Sequence, residues 1–322
     1  MRVLLDQGVA VRALVRSTSN LQGLADLPVK RVLGELTDPP SLARAVEGMD
    51  LLFHVAADYR LWVPDPREMH AVNVDGTVHL LQAALRAGVQ RIIYTSSAVT
   101  VDCSATRLGT EEHFVLPDGC RSAYQRTKVL AEQAVWGLIR QGAQITIVNP
   151  STPIGALDRR PTPTGRLILD FLNGRLPAFL DAIFNWIDVH DVAVGHWLAA
   201  ERGRIGERYI LGHENLPLAD FLDLLGDVSC QTPPRIKVPY AVAYLAGACG
   251  EVWGRVSGRE PRASLDGVRM AGRPMRYDSS KAVKELGLPQ TPLWVAVQEA
   301  VRWFRNTGRC PGGGDNENRA HS

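Results

Sequence analysis

Short apolar runs rich in β-branched residues alternate with longer helical patterns over the first half of this chain, and that alternation restricts the fold most. Residues 9–16, 31–34, 50–56, 91–97 and 144–150 read as strands. Between them, 41–47, 72–87 and 123–140 carry helical spacing, with Ser41 and Asp75 as caps or first-turn residues and Gly88 and Gly142 as stops. Near-continuous apolar strands separated by helices predict a parallel sheet covered on both faces. That is a doubly wound, nucleotide-binding α/β architecture.

After Pro150 the texture changes. Prolines and glycines cluster at Pro163-Thr164-Gly165, and helical patterns then dominate, at 218–226, 240–256, 279–286 and 293–304. Residues 189–200 and 208–212 read as a helix and strand returning to the sheet. The expected organisation is a dinucleotide-binding domain over 1–155, rejoined by 187–213, and a smaller, mostly helical substrate domain over 156–186 and 214–306. The Gly- and Asn-rich stretch 307–322 reads as a disordered tail.

The opening segment departs from this scheme. Only Asp6-Gln7-Gly8 separates Met1-Arg2-Val3-Leu4-Leu5 from strand 9–16, whereas parallel neighbours need a crossover of about a dozen residues. The segment fits the last turns of a helix, with Gly8 as its stop. The first strand and the glycine-rich turn that cradles a pyrophosphate are then expected ahead of Met1, the start being either assigned too far downstream or truly truncated. The chain as it stands is expected to bind a dinucleotide poorly or not at all.

Composition narrows the function. A net charge of +2 without a basic run argues against a dedicated nucleic-acid binder, and 31 arginines to 5 lysines reads as base-composition bias. Five cysteines without a Cys-x-x-Cys pair argue for reduced thiols and a cytoplasmic protein. The longest apolar run, 238–249, is about half of what crosses a bilayer, so no transmembrane segment is expected. No histidine spacing suggests a metal site.

Chemistry concentrates at Tyr124-Gln125-Arg126-Thr127-Lys128, downstream of a strand ending in Thr95-Ser96-Ser97. On a helix, Tyr124 and Lys128 are four apart and share a face. With a hydroxyl from Ser97 they form a proton-transfer site. A phenol titrates near 10, so its use near neutral pH needs a shift of about 3 units, roughly 4 kcal/mol, which an adjacent ammonium helps supply. An incidental pair on a surface helix is the alternative that spacing alone leaves open.

These residues, with Ala98 and Leu130-Ala131-Glu132-Gln133, resemble the extended short-chain dehydrogenase/reductases. More narrowly the chain is similar to dihydroflavonol-reductase-like proteins and hopanoid-associated sugar epimerases, through His54-Val55-Ala56-Ala57-Asp58-Tyr59-Arg60-Leu61-Trp62, Asn149-Pro150-Ser151-Thr152-Pro153, Pro161-Thr162-Pro163-Thr164-Gly165-Arg166, Asp170-Phe171-Leu172-Asn173-Gly174-Arg175 and Asp278-Ser279-Ser280-Lys281-Ala282-Val283. The likeness runs from about residue 9 to 304 and departs at the absent Gly-x-x-Gly-x-x-Gly.

The resemblance implies a doubly wound parallel Rossmann sheet lacking its first strand and glycine loop. It makes Ser97 the catalytic hydroxyl, Tyr124 the acid/base and Lys128 the partner of both Tyr124 and the cofactor ribose. Arg16, at a strand end where an acid would bind the ribose 2′-hydroxyl, matches a 2′-phosphate clamp and favours NADP over NAD; a plain strand-end cation is the alternative. Glu35 and Leu36 match the adenine contact. Val55, Ala56 and Ala57 would border the cofactor or simply end a buried strand. Thr95, Pro150, Ser151, Thr152 and Pro153 would line the nicotinamide side. Asp58, Tyr59 and Trp62 would face a small-molecule substrate or pack their own loop. Asn73 is read as a helix cap or cofactor contact, and Asp191 as a structural tie.

The implied activity is an NAD(P)-dependent oxidoreductase or epimerase acting on a hydroxyl or ketone of a sugar-like or polycyclic substrate, in hopanoid lipid biosynthesis. An NADPH-dependent ketone reductase of the dihydroflavonol or steroid type is the alternative, and a non-catalytic scaffold or sensor a third. A homodimer through the helices flanking the active-site strand is a further expectation.

Overall fold

The computed structural model describes residues 1–261 and 264–311. Helix α1 (Arg2–Asp6) runs out at Gly8, whose φ of +72° ends the helix as the glycine spacing requires. Strands β1 (Arg12–Val15) and β2 (Lys30–Leu33) pair in parallel, Leu14 opposite Val32. In α2 (Pro39–Val46) prolines occupy the first turn, where no N–H is needed, and Ser41 Oγ donates to the Asp38 carbonyl at 2.8 Å. Then come β3 (Leu51–His54), α3 (Pro66–His70), a π-helical turn (Ala71–Asp75) and α4 (Gly76–Arg86). The expected helix 72–87 therefore opens with an irregular turn. Strand β4 (Arg91–Thr95), α5 (Ala123–Arg140) and β5 (Ile145–Pro150) complete the first half.

Strand β6 (Thr152–Ile154) follows after one residue but leaves the sheet. The change of layer thus falls at Ser151, ahead of the boundary expected at 155. The second half contains α6 (Pro163–Leu172), β7 (Ala178–Leu180), β8 (Ile183–Asp188), α7 (Val189–Arg202), β9 (Arg208–Leu211), β10 (Glu214–Pro217), α8 (Leu218–Ser229), β11 (Ile236–Val238), α9 (Tyr240–Ser257), α10 (Leu265–Ala271) and α11 (Leu293–Asn306). Strands β10, β8 and β6 make a small mixed sheet, and β7 pairs with β11. The remainder after Pro150 therefore holds more strand than its sequence texture suggests.

The main sheet has the order β3-β4-β5-β9, all parallel, which is a Rossmann-like α/β arrangement. Strands β1 and β2 form a separate piece, and among the described residues no strand pairs with the second edge of β1 or of β3. Burial follows the pleat: Ile92 and Ile147 join Leu42, Leu81 and Val135 on one face, whereas Ile93 and Val148 join Ile187 and Tyr209 on the other. The second core is built on Trp186, which stacks on Phe221 at 4.0 Å between centroids, and on Phe304. Asp191 at the start of α7 accepts from the N–H and hydroxyl of Thr291 at 2.7 and 2.9 Å, fixing the approach to α11.

The tail expected over 307–322 begins too early. Cys310 is buried in the second core, held by apolar contact rather than left to solvent. Residues 312–322 lie outside the described residues.

Candidate active site

The start of α5 sets the site. Ser122 Oγ accepts from the Gln125 N–H at 3.0 Å, and the Ala123 N–H donates to Asp266 at 2.8 Å, so two first-turn amides are satisfied. From that start, Tyr124, Lys128 and Glu132 recur every four residues along one helix face. Tyr124 is half-buried, and Lys128 and Glu132 are buried.

Ser97 follows β4 and caps a short 3-10 turn (Ala98–Thr100), its Oγ accepting from the Val99 N–H at 3.4 Å. The hydroxyl also lies near enough to the Tyr124 phenol to act on its titration. Burial raises the phenol's pKa above its ordinary 10, the Tyr59 phenol adds to that, and the Ser97 hydrogen bond opposes both. Tyr124 is consequently protonated at neutral pH. Lys128 makes no hydrogen bond to this phenol. Its Nζ donates to the Thr95 carbonyl at 2.8 Å and lies 5.2 Å from the centre of the Tyr94 ring. Burial pushes the ammonium down to about 8, against the attraction of Glu132.

Beneath this surface lies a polar cluster that the sequence reading passed over. Glu132 Oε1 accepts from Arg208 Nη1 at 2.8 Å and Trp136 Nε1 at 3.4 Å. Its Oε2 accepts from Thr100 Oγ1 at 2.8 Å, Asn149 Nδ2 at 3.0 Å and the Ser96 hydroxyl. The Glu132 and Arg208 side chains are 4% and 2% exposed, so this pair is dry. Arg208 further donates to the Glu111 and His113 carbonyls at 2.7 and 2.9 Å. Thr100 Oγ1 and Asn149 Nδ2 also reach the Ser97 carbonyl, at 2.8 and 3.1 Å. The network therefore grips the backbone of Ser97 from below. The sequence signals were Glu132's place in Leu130-Ala131-Glu132-Gln133 and the third step of the stripe from Tyr124.

Two buried histidines were also missed. His196 Nδ1 donates to the Val192 carbonyl at 2.7 Å, so Nε2 accepts from the Thr95 hydroxyl at 2.9 Å; this faces the Thr95 side chain toward α7 and leaves its carbonyl for Lys128. His54 bonds Thr77 through Nε2 at 2.8 Å while Nδ1 is buried without a partner. Burial, then the Lys128 charge, lowers its pKa to about 3, so it is neutral.

The remaining expected residues are placed unequally. Strand β3 ends at His54, so Val55, Ala56 and Ala57 lie in the following loop rather than in the strand, with Val55 59% exposed. Asn73 caps no helix. From its π-helical turn it accepts from the Asp58 N–H at 2.7 Å and donates to the Asp58 carbonyl and to Thr127 Oγ1, pinning this loop to α5. The Asp58 carboxylate is occupied by Arg60 through contacts near 3.0 Å. Burial opposes its ionisation, but Arg60 and Arg16 hold its pKa below the usual range. Tyr59 is exposed and adjoins Tyr124. Trp62 is buried against Gly254 of α9 with its indole N–H unpartnered.

Arg16 is exposed just past β1, close enough to Asp58 to act on its charge. Glu35 is exposed, and Leu36 is buried in the sheet core. Pro150 closes β5, Ser151 Oγ is buried and unpartnered, and Thr152 and Pro153 enter β6, all half-buried.

The family model described as NAD dependent epimerase/dehydratase matches residues 1–212. A Synechocystis protein provisionally named dihydroflavonol 4-reductase is 42% identical, covering 96% of this chain and 91% of its own length. Sterol demethylase protein B of Methylococcus capsulatus is 35% identical over 96% of this chain and 94% of its own. The crystal structure of gox2253 superposes with a TM-score of 0.85 at 43% identity, over 96% of this chain and 94% of that one.

Proposed function

The chain belongs to the NAD dependent epimerase/dehydratase family, which makes it an NAD(P)-dependent enzyme of the extended short-chain type, and from that premise we propose that it reduces a ketone to an alcohol with NADPH. The substrate class we assign is polycyclic and lipophilic, of the hopanoid or sterol kind, in keeping with the names of the two relatives. One observation carries the choice of reduction: Arg16 is an exposed cation just past β1, suited to the 2′-phosphate of an NADPH that is consumed rather than recycled.

Residues at the nicotinamide end suit such a cofactor. The unpartnered Ser151 hydroxyl and the buried Lys128 ammonium are polar groups in want of a ligand, and Arg16 is an exposed cation at the end of β1. The described residues carry no glycine-rich strand-to-helix turn for a pyrophosphate. When bound, a reduced nicotinamide supplies a hydride to the carbonyl carbon.

This chain's own residues handle the oxygen. Ser97 donates a hydrogen bond to the substrate carbonyl and holds it toward Tyr124. The Tyr124 phenol transfers its proton to that oxygen as charge develops, leaving a phenolate that solvent reprotonates. The Lys128 charge favours that phenolate at a distance, and with a cofactor bound it would hold the ribose hydroxyls. Pairing of two copies through α4 and α5 belongs to the same proposal.

Cofactor consumption tests the reading. With a polycyclic ketone, NADPH loss should match alcohol formed, and Tyr124→Phe should lower turnover about 10²–10⁴-fold while cofactor affinity stays within about twofold. An epimeric product without net NADPH oxidation would establish epimerisation instead, and full activity of Tyr124→Phe would remove the phenol from the chemistry.

A further inference from the structure

Helix α9 has its polarity reversed. The face turned to the body is glycine: Gly247 and Gly254 are its two buried residues, and a β-carbon at Gly254 would stand 3.0 Å from the Trp62 indole. The opposite face carries Val242, Leu245, Cys249, Val252, Trp253 and Val256, all exposed, Val256 to 85% and Leu245 and Val252 to 65%. At about 100° per residue these six fall on one side over four turns, and none is charged. Tyr240 and Tyr244, though partly exposed, lie on the side of α9 that meets α10 and Gly272, not on this strip. A helix packed for water would place these residues the other way round.

Cations stand at both ends of the strip. Arg235 and Lys237 precede the helix, and Arg255 and Arg259 lie at its far end, all exposed. Asp223, Asp181 and Glu251 contact three of them in solvent, where ion pairs bind weakly and an anionic surface competes.

The dimensions decide between occupants. An 18-residue helix gives a strip of about 27 by 10 Å, so a protein partner would have to reach beyond α9 to bury the roughly 800 Å² that a standard interface takes from each side. A bilayer needs only a shallow apolar face with aromatic and basic residues at headgroup level. Among the described residues no helix is long and apolar enough to cross a membrane, so α9 would lie in the plane of the surface. We propose that α9 docks this protein on an anionic lipid bilayer. Helix α10 packs on the other, glycine face of α9 beside Gly247 and holds the first residue of α5 through Asp266, so one helix lies between α9 and the site. This inference goes beyond the reductase reading and does not rest on it.

Flotation of the full chain with vesicles of phosphatidylcholine and phosphatidylglycerol tests it directly. The parent should rise with the vesicles, less so in high salt. Leu245→Glu/Val252→Glu, at exposed positions whose change leaves the unfolding midpoint intact, should bind at least about tenfold more weakly. A parent that stays in solution, or a variant that floats equally well, would overturn the proposal. So would a dimer seen by sedimentation that these substitutions dissolve, since a second copy would then cover α9.

Discussion

Replacing Glu132 by glutamine tests the buried network under Ser97. The carboxylate accepts five hydrogen bonds, two at Oε1 and three at Oε2. An amide has one acceptor oxygen. Turned toward Arg208, it keeps that bond and the one from Trp136, while its NH₂ faces Ser96, Thr100 and Asn149. The two hydroxyls can rotate to accept, but the Asn149 Nδ2 then meets another donor. Arg208 meanwhile keeps a charge in a dry site, where burial already lowers its pKa and Glu132 is the main group raising it. An uncompensated buried charge costs about 3–5 kcal/mol and one mismatched donor about 1–3 more, so a loss of about 4–8 kcal/mol is expected. In a domain of this size that corresponds to a fall in Tm of about 10 °C or more. Urea or thermal unfolding should be run on Glu132→Gln, Arg208→Met and the double variant. The double variant should lose less than the two single losses combined by about 2 kcal/mol, because it strands no charge. A Glu132→Gln protein within about 1 kcal/mol of the parent, or simple additivity, would refute the reasoning.

Lys128→Met should raise stability at pH 7 and abolish turnover. An unfolded lysine titrates near 10.4, whereas burial sets Lys128 at about 8, so the fold sheds a proton that the unfolded chain retains between those values. The cost is full below pH 8, about 3 kcal/mol, and fades as pH rises through 10; a variant less stable at pH 7 would contradict this. Arg16→Ala should weaken NADPH about 10–100-fold and leave NADH within a few-fold, as measured by fluorescence titration. An equal effect on both cofactors would exclude a phosphate clamp.

Helix α5 was readable to the residue because the four-residue stripe and Gly142 mark it, and strands β4, β5 and β9 were readable because both of their faces are largely buried. Helix α6 was not, since Pro161-Thr162-Pro163 looks like a loop; in the fold Thr162 caps the Gly165 N–H at 3.0 Å and Pro163 takes the first-turn position that suits proline. Strands β7, β10 and β11 are three or four residues long, too short for any period to show. Trp62 was read as facing substrate or packing its own loop; it packs against a glycine 192 positions away, and local pattern carries no such information. Glu132 lay within a quoted motif, but its weight comes from Arg208 and Asn149 on neighbouring strands.

The interrupted sheet has a consequence for handling the protein. Among the described residues strand β1 pairs with β2 on one side and β3 with β4 on one side, so each offers there a row of peptide N–H and C=O groups without a strand partner. Leu51, Leu52 and Phe53 lie half-covered along that margin. Amides there should exchange with deuterium far sooner than those of β4 and β5, which are flanked on both sides. In concentrated solution the same margins are templates for foreign strands, so precipitation should begin at the sheet before the helices melt.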